Sequence, residues 1–592
     1  MDRKNAELGQ GDNHQKSASP YAIPVAFNRM LGHVHHADGS TGVVFCNPWG
    51  FDELCTRKFH RLVAAEMARN GISSIRFDYP GEGDSLPLEG PVSFESWIVA
   101  ALAAGAELRQ RSGCDRIVYY GMGIGAAVAV KAGCRDPDLA GVILAGASLN
   151  GRRYLREVAL REKVIEDGID IEFGYPSGAT VLAAYVMDPQ LAMDVKSLDV
   201  ELTDLPDDRP VLVLARPDNL SDRQITDQLK SRGVPVESLD FDHYGAMLDG
   251  VVTSPMPLEL IDKIALWTQQ LNETKPETDA SPAPVDTVRH LNGDGFCETA
   301  EQLDTGLFGV FCQPAHDTPS AVIVFLNMAY APHTGWGGLW VEAARHLALD
   351  GIATFRVDLS NIGDSPAHPE GPEQVIYSRR QLDDVQIVIA HVRKLIKAPI
   401  LLAGGCSGAH SALYAGAESP DVAGVVSINQ LRLVLDPDED IETTLKAGAR
   451  PIGDYKRRAF STQTYRRLLA GEINMVQASR HITGYARAYL SRIFSPYLGG
   501  LTRLGRLKGE LFALLKTLER RRVPVTFVIC RTDGSLDQHV LYFGKDLRGA
   551  AAFGHLRHII LENADHTLSP PSVRTEVIDI LRRAAHDLSS GR

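Results

Sequence analysis

Residues 404–408 read Gly-Gly-Cys-Ser-Gly, directly after the apolar run Ile-Leu-Leu-Ala at 400–403. A strand, then glycine, a nucleophile flanked by single residues, a second glycine and a helix puts the central side chain on a sharp turn. Gly404 and Gly408 let neighbouring backbone close in on that turn, and the helix N-terminus behind it favours negative charge. The central residue is Cys406, so the predicted chemistry is attack of a thiol on an acyl carbon. The competing reading is a small buried residue, since free cysteine is among the most buried types. Ser407 is expected to cap the following helix rather than to attack. A second turn of this form, Gly-Met-Gly-Ile-Gly at 121–125, has Gly123 at its centre and no side chain to attack with.

These turns need a sheet to hold them. In the first half, TGVVFC (41–46), SSIRF (73–77), RIVYYG (116–121), GVILAG (141–146) and PVLVLA (210–215) are apolar runs of strand length. In the second half, AVIVFLN (321–327), ATFRV (353–357), ILLAGG (400–405), GVVSI (424–428) and VPVTFVI (523–529) repeat the pattern. A helix is expected over 59–71, closed by Gly71. Continuous apolar strands alternating with helices imply a mostly parallel sheet covered on both faces. GMGIGA (121–126) also fits a dinucleotide fingerprint, but that fingerprint belongs in the first strand-to-helix turn of its unit, and here two strands precede it.

The chain contains itself twice. RFDYPGEGDS (76–85) and RVDLSNIGDS (356–365) share Arg76, Asp78, Gly83, Asp84 and Ser85 with Arg356, Asp358, Gly363, Asp364 and Ser365. GMGIGA faces GGCSGA (404–409) at nearly the same offset, and Pro137-Asp138 faces Pro420-Asp421. The predicted organisation is a disordered tail over 1–19, a first domain over 20–270, a Pro/Ser/Thr-rich linker over 271–287 and a second domain over 288–592.

With 61 Lys+Arg against 74 Asp+Glu, the net charge of −13 argues against a general nucleic-acid binder. No apolar stretch is long enough to span a bilayer, and residues 1–20 do not form a signal peptide. The eight cysteines show no CxxC pair, so neither a zinc site nor a secreted disulfide framework is expected. A reducing cytoplasm is the predicted location. His33, His35 and His36 in HVHHAD could ligate a metal, but LGHVH aligns with LFGVF in the second copy, which favours a polar hairpin edge; neither metal nor cofactor is expected.

The repeated elbow, with FCNPWG, RFDYPGEGDS, SLNGRRYLRE and HYGAML in copy one and GGCSGAH, RTDGSLDQHVLYFG and NADHTLSP in copy two, resembles the α/β-hydrolase family in two tandem copies. The subgroup it is similar to is the hydrolase-like proteins of bacterial exosortase and exopolysaccharide gene clusters. The resemblance implies two α/β-hydrolase domains with helical lid insertions, and a nucleophile, acid and histidine in that chain order. Cys406, Asp533 and His566 fit that order, each just past an expected strand, with Asp537 as a second candidate acid. The oxyanion would be held by the Ser407 N–H and one from Met328 or Ala329. Copy one matches the acid with Asp218, followed by Asp222, but Ala246 aligns with His566, and His243 could serve only if its loop differs.

Cysteine elbows in this superfamily occur in dienelactone hydrolases and polyhydroxyalkanoate synthases, so the resemblance points to thioesters or activated esters. The expected activity is an acyl hydrolase working through acyl-Cys406. The alternatives are an acyltransferase of exopolysaccharide or lipid-linked metabolism and a non-catalytic scaffold. The lid is expected over about 431–522. Residues 446–522 carry 17 basic and 4 acidic side chains, leaving 44 basic and 70 acidic in the rest of the chain. Leucines from Leu501 to Leu518 repeat at helical spacing with Arg503, Arg506 and Lys508 between them, a basic amphipathic helix. It could attract a coenzyme A, carrier-protein or lipid-linked substrate, or an anionic membrane surface; its alternative is a helix packed on its own domain. A homo-oligomer is left open.

Overall fold

Unbroken apolar runs become strands buried on both faces: Val43, Val44 and Phe45 in the first half, and Val322, Ile323 and Val324 in the second, are all fully buried. The computed structural model describes residues 21–166, 171–251, 256–272, 288–436, 441 and 502–590. The expected tail over 1–19, most of the linker and residues 437–440 and 442–501 of the lid lie outside the described residues.

The first half forms an eight-stranded sheet. Its spatial order is Ile23–Phe27, Met30–His35, Ser73–Phe77, Thr41–Cys46, Arg116–Met122, Leu139–Ala145, Val211–Ala215 and Val236–Asp240. The first two strands run antiparallel to their neighbours, and the remaining pairs are parallel. The second half repeats this in nine strands, from His290–Asn292 at one edge to Leu556–Leu561 at the other, with the same antiparallel entry and parallel remainder.

Helices cover both faces of each sheet. The helix expected over 59–71 begins earlier, at Phe51, and ends at Arg69. Asp52 and Glu53 lie in its first turn, where carboxylates favour a helix start. The leucine-rich helix spans Arg503–Arg520, and its Thr502 side chain accepts from the Gly505 N–H at 3.0 Å. Leu511, Leu515 and Leu518 are buried in the core of the second half, so this helix packs within its own domain, against the helix Ser407–Glu418. Leu501 lies outside the described residues. Among the described residues no helix is long and apolar enough to cross a membrane.

The two halves meet at their antiparallel strands. Ala26, Leu31 and Leu86 share one apolar cluster with Leu291, Phe308 and Val310. The Ala26 N–H donates to the Val288 carbonyl at 2.7 Å. HVHHAD is therefore not a polar edge. The strand Met30–His35 is buried and paired on both sides. His33 lies edge-on to the Phe308 ring, and burial pushes its pKa down to about 3, so it is a neutral interface side chain.

Candidate active site

The turn after Ile400–Gly405 is as tight as its glycines predict. A Cβ on Gly404 would lie 2.4 Å from the Gly408 backbone, and one on Gly408 would lie 2.4 Å from the Asn327 carbonyl oxygen. Between them Cys406 sits at φ 53° and ψ −113°, a conformation that costs a non-glycine residue on the order of 1–3 kcal/mol. Its N–H donates to the Ile428 carbonyl at 2.9 Å, which anchors the turn to the neighbouring strand. Cys406 is 5% exposed.

Asp533 and His566 are brought to this turn by the two strands beyond it. Asp533 follows Val525–Cys530 and is the N-cap of the helix Gly534–Phe543. Its Oδ1 accepts from the Ser535 N–H at 2.8 Å, and its Oδ2 meets His566 Nδ1 at 2.7 Å. The other imidazole nitrogen is not engaged by Asp533, and Cys406 is among the side chains that act electrostatically on the ring. Burial opposes charge on His566, but the Asp533 carboxylate and the Cys406 sulfur together raise its pKa well above the ordinary imidazole value. Asp537 stands one turn further along the same helix and is not the carboxylate that holds His566.

Two supports were not foreseen. Asn429, at φ 46° just past Val422–Ile428, donates through Nδ2 to the His566 carbonyl at 3.0 Å, and its Oδ1 accepts from the Cys530 N–H at 2.8 Å. Asp565 accepts from the Ser569 N–H at 2.6 Å and from the Thr567 hydroxyl at 2.6 Å, which ties off the histidine loop. Asp-His-Thr-Leu-Ser is a readable side-chain-to-backbone turn signal. Nothing local marks Asn429, whose partners lie over 100 residues away.

Ser407 does not cap its helix. Its hydroxyl oxygen accepts from the Ala329 N–H at 3.0 Å across the turn. Of the two expected donors on that loop, Ala329 is thus already engaged, and Met328 remains. The Ser407 N–H opens the helix Ser407–Glu418, whose first-turn amides have no intrahelical carbonyl to bond. Beside Ala329, Ile376 and Tyr377 form a small buried apolar cluster with Tyr330, Leu435 and Ile441 against it.

Copy one keeps the turn, with Gly123 and no side chain at its centre. A Cβ on Gly125 would lie 2.1 Å from the Cys46 carbonyl oxygen, and Gly123 has φ 56°, so the elbow is preserved. Its expected partners do not converge on it. The Asp218 side chain is 97% exposed and paired with Arg223. His243 is exposed in a left-handed conformation. The buried carboxylate is Asp222, which Arg216 holds at 2.7 Å. The site is filled by Tyr244, whose hydroxyl lies 3.9 Å from where a Gly123 Cβ would stand.

Of the basic side chains expected to attract anions, Arg503 pairs with Asp436, Lys508 lies over the Phe512 ring, and Arg506 is exposed. His333, Asp358 and Asp364 place ligand atoms within 4.8 Å of one another. Arg57 and Arg76 already hold Asp364 at 2.6 Å each, so cationic charge stands where a metal would.

Residues 42–167 match a family model described as serine aminopeptidase, S33, and residues 323–580 match one described as the alpha/beta hydrolase family. No curated protein matches the chain. Similar solved structures include a dienelactone hydrolase from Anabaena variabilis, 14% identical, covering 49% of this chain and 97% of that one at a TM-score of 0.28. An alpha-beta serine hydrolase homologue from Coxiella burnetii is 12% identical, covering 48% and 95% at 0.28. Est1E from Butyrivibrio proteoclasticus, solved with ferulic acid, is 11% identical, covering 51% and 100% at 0.29.

Proposed function

We propose that this chain, a tandem α/β-hydrolase-fold protein, is an acyl hydrolase of esterase or thioesterase type whose nucleophile is Cys406. The domains are taken as 20–270 and 288–592, with the chemistry in the second. The observation that carries the reading is the His566 ring held at 2.7 Å by the buried Asp533, with Cys406 at the strained elbow acting on the same ring. The 2.7 Å contact between Asp533 and His566 Nδ1 suits an acid that orients an imidazole base, and Cys406 stands at the elbow where a nucleophile belongs.

In the proposed reaction His566 takes the Cys406 thiol proton through Nε2, while Asp533 keeps the proton on Nδ1. The sulfur attacks the acyl carbon, and the carbonyl oxygen takes the negative charge against the N–H groups of Ser407 and Met328. The tetrahedral intermediate collapses, and His566 returns the proton to the leaving alcohol or thiol. Water then attacks acyl-Cys406 with His566 as base, releasing the carboxylic acid and the thiol. The apolar cluster at Ala329, Ile376 and Tyr377 fits the hydrocarbon part of an acyl group. The net charge of +13 over residues 446–522 fits an anionic donor, such as a coenzyme A or carrier-protein thioester. The first domain, without a nucleophile, serves as a structural partner.

The test is intact mass after incubation with acyl thioesters and activated esters, using wild type, Cys406→Ala, Cys406→Ser and His566→Ala. An acyl adduct on wild type that vanishes in Cys406→Ala supports the reading. Accumulation of the adduct in His566→Ala would mark the histidine as the deacylation base. Faster loss of the adduct on adding a sugar alcohol would make the protein an acyltransferase, the role its resemblance to exopolysaccharide-cluster proteins suggests. No turnover, with Cys406 no more reactive to iodoacetamide than the other thiols, overturns it in favour of a binding scaffold.

A further inference from the structure

The segment that betrays the duplication is also where the domains exchange charges. Arg76 of the first domain donates to Asp364 of the second at 2.6 Å, and Arg356 of the second donates to Asp84 of the first at 2.9 Å. A second pair of bridges repeats the exchange. Arg57 spans Asp78 of its own domain at 2.9 Å and Asp364 at 2.6 Å. His333 spans Asp358 of its own domain at 2.8 Å and Asp84 at 2.6 Å. All of these side chains are buried. Burial works against charge on His333, but Asp84 and Asp358 raise its pKa to about 10, so it is an imidazolium clamped between carboxylates.

The two halves of this exchange differ where they reach the elbows. In the second domain Asp358 Oδ1 accepts from the His333 N–H at 2.7 Å and from Asn327 Nδ2 at 2.9 Å, and Asn327 Nδ2 also donates to the Ala331 carbonyl at 3.0 Å. The loop carrying Met328 and Ala329 is thus tied to one carboxylate at both ends. In the first domain Asn47 donates instead to the Phe77 carbonyl, and its loop faces Gly123.

We infer that Asp84 of the first domain is a positioning residue for the oxyanion-binding loop of the second, acting through His333 and Asp358 on residues 327–331. The inference rests on Cys406 being the nucleophile. It gives the inert domain a task. Its carboxylate closes a bridge that the second domain cannot complete, because Asp364, the equivalent residue there, is turned toward Arg57 and Arg76. The second domain alone would hold this loop by one end of His333 only.

Two reactions of the same sulfur separate positioning from folding. Acylation by p-nitrophenyl butyrate develops charge on the carbonyl oxygen and needs the loop amide. Alkylation by iodoacetamide forms a carbon–sulfur bond with loss of iodide and needs no oxyanion donor. Both rates are measured at Cys406 by peptide mass spectrometry in full-length wild type, Asp84→Asn and His333→Gln. His333→Gln breaks the bridge but leaves Asp84 with Arg356 and Asp358 with Asn327, so it reports even where Asp84→Asn does not fold. Acylation is expected to fall about 10- to 100-fold in each variant, a partial loss of one donor, with alkylation within about twofold of wild type. Acylation equal to wild type, or acylation and alkylation falling together, overturns the inference alone. A wild type that is not acylated at Cys406 overturns the proposed function and this inference with it.

Discussion

Asp533→Asn tests the proposed triad through its hydrogen-bond inventory. The two carboxylate oxygens do different jobs: Oδ1 accepts from the Ser535 N–H at 2.8 Å, and Oδ2 faces His566 Nδ1 at 2.7 Å. An asparagine has one acceptor and one donor group. The backbone amide of Ser535 can only donate, so the amide oxygen must face it, and the amide nitrogen then faces His566. That donor forces the imidazole to present a lone pair at Nδ1 and to carry its proton on Nε2. A ring in that tautomer cannot accept the Cys406 proton. Volume and both contacts are kept, so the stability cost is that of a charged hydrogen bond made neutral, about 1–2 kcal/mol. The catalytic cost is far larger, about 10³- to 10⁴-fold in the acylation rate, or roughly 4–5.5 kcal/mol of barrier. The assay is single-turnover acylation followed by intact mass, with thermal unfolding recorded on the same samples. Acylation within about tenfold of wild type in a folded variant would refute the assignment of Asp533 as the group that sets the His566 tautomer.

Gly408→Ala would put a methyl group 2.4 Å from the Asn327 carbonyl oxygen; we expect a loss of about 1–3 kcal/mol in a urea titration together with loss of acylation. Leu515→Ala removes a fully buried side chain from the core-facing side of the basic helix and should cost about 2–5 kcal/mol by the same titration. The raised pKa of His333 means that its contribution to stability is complete below the ordinary imidazole value, about 6.5, and is lost as pH rises through about 10. The difference in melting temperature between wild type and His333→Gln should therefore shrink between those values, and a constant difference would show that the imidazolium is not the source. Gly123→Cys restores a thiol to the first elbow but meets Tyr244 rather than an acid–base pair; no acyl adduct should form at position 123.

Residue order alone determined the duplication, the two largely parallel sheets and the elbow. Each is a local property. Strands such as Ile400–Gly405 are written as continuous apolar runs, and glycines at 404 and 408 are written wherever backbone must approach within contact distance. The order of Cys406, Asp533 and His566 was legible for the same reason, since each follows a strand end. The first copy shows the limit. Asp218 occupies the expected place after a strand yet points to solvent, while Tyr244 fills the space beside Gly123. HVHHAD reads as a polar edge, but the second copy covers it, and Phe308 rather than water meets His33. What only the tertiary structure decided are the partners brought together over long separations. Asn429 beneath His566, and Asp84 against His333 and Arg356, join residues 137, 249 and 272 positions apart. No spacing rule spans such distances, because a buried charge selects its partner by which surface desolvates it, and that surface exists only once the two sheets have docked.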